Sequence, residues 1–460
     1  MVALAMFVMA FAANLDHIDG TAFHPDESRW LNRAYFVDAI TDPYGFVWQD
    51  YYLTRGQPPL GSYVIGLGQL VQGTSLNPNL VWDFFYGASN WNQISGAAPD
   101  EENLESGRRT SAFIGALAVV TAYYITRRMT NRLGGFAAAF LIAWNGLSIR
   151  IGSQALSDQT LLLTLGLVFL AAFQMMKRPT WPCAIVLGIC FGLGGSAKLT
   201  PLLLSLAAAG IGGLLLIRFL VIRLSPQQRK LDRSIAIKLI LQPVIAFVAF
   251  VATYPYLWSD PIRRSWNLYN FRINEMDSQG RAFPSAKVNG FQDVFNRINN
   301  NGNLGGMQQT SARVIDWFNS LTGREYGYVL GLDLLIAAAS LPFVLLIAMR
   351  YGLRSPHFLV STLLGAEAAL IVLGLRSDLY RYYLPLVFIM FICVGIMVGM
   401  VSGWLGRKVA SLFHRRQDPL PFDRAHRTSV PTRLNSRVAR YRRSPTRLIV
   451  IHRGTNRARA

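Results

Sequence analysis

Cysteine, histidine and charge are all scarce in this 460-residue chain. It holds three Cys and six His, and 15% of its residues are charged, against about 25% in an ordinary soluble domain. Cys183, Cys190 and Cys393 lie in apolar runs. Cys183 and Cys190 fall on one predicted helix, roughly 10 Å apart at its axial rise, too far to bridge. No zinc spacing is present, so disulfide scaffolds and zinc modules are excluded and the thiols read as small packing residues. Hydrophobic residues make up 52% of the chain, and its mean hydropathy is +0.29. That composition excludes both an ordinary soluble enzyme and a largely disordered chain.

Acids are the scarcer charge, 25 against 45 Lys and Arg, which leaves a net charge of +20. The excess is concentrated. Residues 405–460 hold 15 Lys and Arg and two acids. This tail carries no zinc-finger or RNA-binding motif, so nucleic acid is not an expected partner. It reads as a disordered cytoplasmic extension beside an anionic leaflet.

Long apolar runs are what the chain does have. A spanning helix needs about 20 mostly apolar residues. Nine runs approach that length: 110–126, 133–149, 160–176, 181–197, 199–217, 235–257, 326–349, 358–375 and 382–405. Residues 1–14 form a tenth, shorter run without a basic n-region or a cleavage site, unlike a signal peptide. It reads as a first span beginning at residue 1, or as the end of a longer one. Every second connection is basic: Arg127, Arg128 and Arg132, then Lys177 and Arg178, then Arg218 to Arg233, then Arg350 and Arg354. The positive-inside rule makes these sides cytoplasmic.

Two long loops, 15–107 and 258–325, then face the outside. The first holds 12 acids and is rich in Trp and Tyr, which predicts amphipathic helices at the interface. Residues 59–71 predict an interfacial or re-entrant helix. The second loop contains Asn299-Asn300-Asn301-Gly302-Asn303 and reads as partly mobile. Together these features predict an all-α polytopic membrane protein of about ten transmembrane helices over residues 1–404.

Several motifs gather at the outer ends of these spans. Phe23-His24-Pro25-Asp26-Glu27 places two carboxylates beside the membrane. Either could act as a general base on a hydroxyl, or Asp26 could cap a helix with Glu27 in its first turn. Gln57-Pro58-Pro59-Leu60-Gly61 is a rigid helix start. Arg108-Arg109 ends the first loop, suited to a lipid phosphate or to snorkelling. Ala155-Leu156-Ser157-Asp158, Lys198 and Arg381-Tyr382-Tyr383-Leu384-Pro385 sit at outer ends as well. Asp333 and Glu367 fall inside predicted spans, where charge is rare and faces a cavity or partner.

In this order the motifs resemble the protein O-mannosyltransferase and aminoarabinose-transferase group of GT-C glycosyltransferases, and the phospholipid-carrier-dependent bacterial members most of all. Tyr254-Pro255-Tyr256-Leu257-Trp258 adds to the likeness, which covers about residues 1–404. The resemblance implies a GT-C bundle in a bacterial plasma membrane that moves a sugar from a polyprenyl-phosphate donor to an acceptor hydroxyl on protein, lipid or glycan. The transfer would be inverting and extracytoplasmic. Asp26 would be the base and Glu27 its partner. Arg109, Gln57, Arg33, Asp158, Lys198 and Arg381 would hold the donor phosphate and sugar. Gln57 stands where mannosyltransferases of the group commonly carry His. The second loop is too short for the β-trefoil of eukaryotic members. No cofactor is obligatory, and a divalent metal is not indicated, because Arg and Lys can neutralise the leaving phosphate. The rival reading is a transporter or flippase of lipid-linked sugars.

Overall fold

The computed structural model describes residues 1–76, 78–84, 89–300, 310–327 and 331–416. Met1–Leu405 and Gly406–Ala460 form two separate units. Most of the basic tail, from residue 417 on, lies outside the described residues, as do residues 301–309 of the Asn-rich stretch. The described residues fold into helices and turns without a strand, and one isolated antiparallel bridge joins Lys287 to Ser377.

The principal helices are α1 (Val2–Asp16), α2 (Pro25–Asn32), α3 (Leu60–Val71), α4 (Glu101–Met129), α5 (Arg132–Trp144), α6 (Gly146–Gly152), α7 (Asp158–Lys177), α8 (Trp181–Ala197) and α9 (Thr200–Val221). They continue as α10 (Pro226–Ile240), α11 (Gln242–Ala252), α12 (Pro261–Ala282), α13 (Phe291–Asn300), α14 (Thr310–Thr322), α15 (Leu332–Tyr351), α16 (Pro356–Gly374) and α17 (Leu384–Arg416). Among the described residues, six segments are long and apolar enough to cross a membrane: α7, α9, the α10–α11 pair, α15, α16 and residues 380–411. The bent α5–α6 pair would make seven. The other apolar runs are helical too, but α1 and α8 are shorter and α4 has charged turns at both ends.

The run 133–149, expected as one span, is broken. α5 and α6 meet at Asn145 with a 63° bend. The break follows from the chemistry of Asn145, whose carbonyl oxygen caps α6 by accepting from the Ser148 amide at 3.0 Å. Its amide group contacts Thr310 Oγ1 at 3.4 Å. Irregular backbone at membrane depth is tolerated only where protein satisfies it. Asp333 serves the same end. Its two oxygens accept from the amides of Thr310 and Ser311 at 2.5 and 3.1 Å, holding the start of α14.

α7 is the centre of the bundle and packs on α4, α8 and α16. Leu165, Val168, Phe169 and Ala172 on it are fully buried. Small residues bring helices close elsewhere: a Cβ at Gly395 of α17 would lie 2.6 Å from the Gly134 carbonyl oxygen of α5. Such small-residue contacts drive packing where lipid removes the hydrophobic incentive. In the first long loop, α2 and α3 lie against α4, as amphipathic helices at its end. The second loop holds α12, α13 and α14.

Candidate active site

α2 places the first acidic pair. His24, not Asp26, is its N-cap: the His24 Nδ1 accepts from the Asp26 amide at 3.1 Å. Glu27 returns the bond, its Oε2 accepting from the His24 amide at 2.8 Å, a reciprocal box that satisfies two orphan donors. Pro25 fits the first turn, where its missing N–H costs nothing. Asp26 is thereby released from capping.

The two carboxylates then part company. Glu27 is fully buried. Its Oε1 accepts from Arg108 Nε and the Ala155 amide, both at 2.8 Å. Its Oε2 also accepts from Arg108 Nη2 at 2.9 Å. Arg108 in turn donates to the Thr21 carbonyl at 2.9 Å. Glu27 therefore locks α2 to α4 and to the Ala155 turn, and has no lone pair left for a substrate.

Asp26 instead forms an ion pair with Arg381, just ahead of α17. His24 Nδ1 lies 3.8 Å away. Burial works to raise the Asp26 carboxyl, but Arg381, His24 and Arg29 outweigh it and hold it below the usual carboxylate range. Burial also lowers the His24 imidazole, against the pull of Asp26.

Arg381 lines a cavity of about 470 Å³. Gln57, Asp158, Lys198 and Arg376 are among its other polar side chains, and Leu203, Phe247, Phe250 and Leu370 are among its apolar ones. At the cavity wall Lys198 donates to Asp158 at 2.6 Å. Asp158 is 2% exposed and Lys198 25%. Lys198 ends α8 and Asp158 opens α7, so two helix termini set this pair. Among the described residues no group of three His, Cys, Asp or Glu converges to hold a metal.

Gln57 is held from behind. Its carbonyl accepts from Arg33 Nη2 at 2.6 Å and from the Tyr254 hydroxyl at 3.1 Å. Arg33 is fully buried over the rings of Trp30 and Phe36. Burial lowers its guanidinium to about 10, partly offset by Tyr254. It supports the Gln57 turn and does not line the cavity. Tyr254, Tyr256 and Leu257 form the rest of this buttress with Phe36, Trp48 and Tyr63. Gly61 is part of the fit, because a Cβ there would strike the Ser157 side chain. Gly61→Ala is expected to cost about 1–3 kcal/mol by overpacking, read as a lower unfolding temperature in detergent.

Arg109 is not brought to the cavity. It is 52% exposed and pairs with Glu105 one turn earlier on α4. Arg108, flagged with Arg109 as a phosphate ligand, holds Glu27 instead, and what sequence reasoning passed over is a latch on α12. Arg272 of α12 lines the cavity, pairs with Glu275 and donates to the Gly56 carbonyl at 3.2 Å. Glu275 also meets Arg29 at 3.4 Å. Arg29 stands three residues after Asp26 on α2, a same-face spacing that could have drawn attention to it.

Residues 46–258 match the family described as dolichyl-phosphate-mannose-protein mannosyltransferase. Over that stretch, a little under half of the chain, the sequence is similar to this glycosyltransferase family. The matched stretch contains Gln57, Asp158 and Lys198; Asp26 and Arg381 lie outside it and are brought alongside by the fold. No curated protein matches the chain by sequence. Among solved structures, the chain is similar to the oligosaccharyltransferase of Archaeoglobus fulgidus, with 12% identity and a TM-score of 0.49 over 89% of this chain and 52% of that one. It is also similar to ArnT from Cupriavidus metallidurans bound to undecaprenyl phosphate, at 16% identity and a TM-score of 0.45, over 85% and 59% of the two chains. The Pmt1–Pmt2 complex of S. cerevisiae with its sugar donor gives 15% identity and a TM-score of 0.38, over 57% and 33%. The chain thus spans about half the length of the archaeal enzyme.

Proposed function

We propose that this protein transfers a sugar from a polyprenyl-phosphate donor to an acceptor hydroxyl, with Asp26 as general base. The observation that carries the reading is the Asp26–Arg381 ion pair at a cavity that also holds the Lys198–Asp158 pair and a long apolar wall. Such a cavity suits a ligand with an anionic head and a hydrocarbon chain. The family match over residues 46–258 supports a lipid-phosphate sugar as that ligand.

In the proposed step Asp26 takes the acceptor hydroxyl proton as the oxygen attacks the anomeric carbon. The bond from that carbon to the phosphate oxygen breaks, and its electron pair leaves with the polyprenyl phosphate. Attack opposite the leaving group inverts the anomeric centre. Lys198 and Arg381 neutralise the charge developing on the phosphate. A phosphate beside Lys198 also competes with Asp26 for Arg381, so the carboxylate gains basicity when the donor arrives. Glu27 holds α2 in place and is a positioning residue.

In this reading the reaction takes place on the outer face, which the position of the cavity supports. α9 leaves the cavity at Thr200 and rises roughly 30 Å to a basic end, where Asp232 pairs with Arg354 and with Arg218 at 3.7 Å. Basic residues mark the cytoplasmic side.

Lys198→Met is expected to lower kcat/KM for the donor at least tenfold, about 1.4 kcal/mol, whereas Arg109→Ala changes it less than twofold. Because Lys198→Met strands a buried carboxylate, Asp158→Asn/Lys198→Met should fold as well as wild type and still bind donor weakly. Donor kinetics in lipid nanodiscs check this. Equal losses for Lys198→Met and Arg109→Ala would contradict the placement of the donor phosphate.

A further inference from the structure

Buried carboxylates in the bundle have clear structural work, with one exception. Glu27 accepts four hydrogen bonds, Asp333 holds two helix amides, and both oxygens of Asp232 meet Arg354. Glu367 differs. It lies in the middle of α16, fully buried, and its Oε1 accepts from Thr200 Oγ1 at 2.8 Å. Among the described residues, its Oε2 is the only fully enclosed carboxylate oxygen without a hydrogen-bond partner. No ion pair to it occurs among those residues. An acid so placed is costly, and a leucine would pack at no such cost.

Glu367 belongs to the wall of the cavity. Thr200, its partner, opens α9 two residues after Lys198 and lines the cavity too. The orphan oxygen therefore sits at the depth of the polar end, in surroundings already built around a hydroxyl donor. We propose that Glu367 reads the sugar of the donor, its free oxygen accepting a hydrogen bond from one ring hydroxyl. This rests on the transferase reading above. A neutral hydroxylated ring satisfies the oxygen without adding charge to the membrane interior. It also makes this acid a determinant of which sugar is accepted.

The test uses the full-length protein in lipid nanodiscs with undecaprenyl-phosphate mannose and its 2-, 3-, 4- and 6-deoxy analogues. For wild type, one analogue is expected to lose roughly 10- to 100-fold in kcat/KM, the range for leaving a buried acceptor without its hydrogen bond. In Glu367→Leu that same analogue should lose less than threefold relative to the parent donor, while the other deoxy penalties persist. Glu367→Gln keeps an acceptor oxygen and should keep part of the discrimination. It carries the same comparison if the leucine variant does not fold. Deoxy penalties that are unchanged in both variants would overturn the proposal, even if overall activity fell, because that is the mark of a packing role. A wild type inert toward undecaprenyl-phosphate mannose and toward a panel of other undecaprenyl-phosphate hexoses, pentoses and amino sugars would instead overturn the transferase reading itself, and the role of Glu367 with it.

Discussion

Asp26→Asn is expected to lower the transfer rate roughly 100- to 10,000-fold in a protein that still folds and inserts. The asparagine keeps the shape of the side chain and the α2 capping, because His24 and Glu27 do the capping. It removes the proton acceptor. Arg381 loses its ion pair, but its guanidinium still lies 5.4 Å from the Tyr382 ring. The pH dependence carries the same signature. In the free enzyme Asp26 is held below the usual carboxylate range, so wild-type kcat/KM, which reports the free enzyme, should persist as pH falls past about 4 and fail only through the lower folded value. The sign for stability is the same: the ion pair supports the fold above the pKa of the unfolded chain and is lost as pH drops through the folded pKa. Transfer rates and unfolding temperatures of both forms, measured side by side, check the prediction.

Glu27→Ala is expected to be the most destabilising single change near the site, at about 3–5 kcal/mol. It would leave Arg108 buried with its charge uncompensated, since Arg108 is only 7% exposed and Glu27 supplies both of its carboxylate contacts. It would also free the Ala155 and His24 amides. Against a typical stability of about 5–15 kcal/mol, that loss is a large share. Glu27→Leu/Arg108→Met should recover much of it, because removing both charges removes the stranded one. Thermal unfolding of the three forms decides this. Activity that falls in Glu27→Ala and returns in the folded double variant would mark Glu27 as a positioning residue.

How much of this could be read from the chain depends on distance. The run 181–197 became α8 with the same limits, and 59–71 became α3 almost unchanged. Both are bounded by proline and polar residues that act locally. The break at Asn145 was not visible, because one Asn in an apolar run reads as tolerated until Thr310 and Asp333 arrive from far along the chain. Asp26, Gln57, Asp158, Lys198 and Arg381 were flagged one by one, yet only the fold shows the last four around one cavity, with Asp26 joined to it through Arg381. Arg108 and Arg109 show the limit most clearly. Adjacent residues on a helix point about 100° apart, so which one meets Glu27 depends on how α4 is rotated against α2. Nothing within α4 sets that rotation. The cavity face of α12 was hidden for the same reason, since an amphipathic helix does not say what its polar face will meet.

The most direct test of the account is the release of polyprenyl phosphate from radiolabelled polyprenyl-phosphate sugars by purified protein in lipid nanodiscs, wild type beside Asp26→Asn. The account predicts release by the wild type, faster with a hydroxyl acceptor present, and almost none by the variant. Equal release by both proteins would contradict the role of Asp26. No release by either, with the labelled lipid crossing between leaflets in vesicles, would contradict the transferase itself.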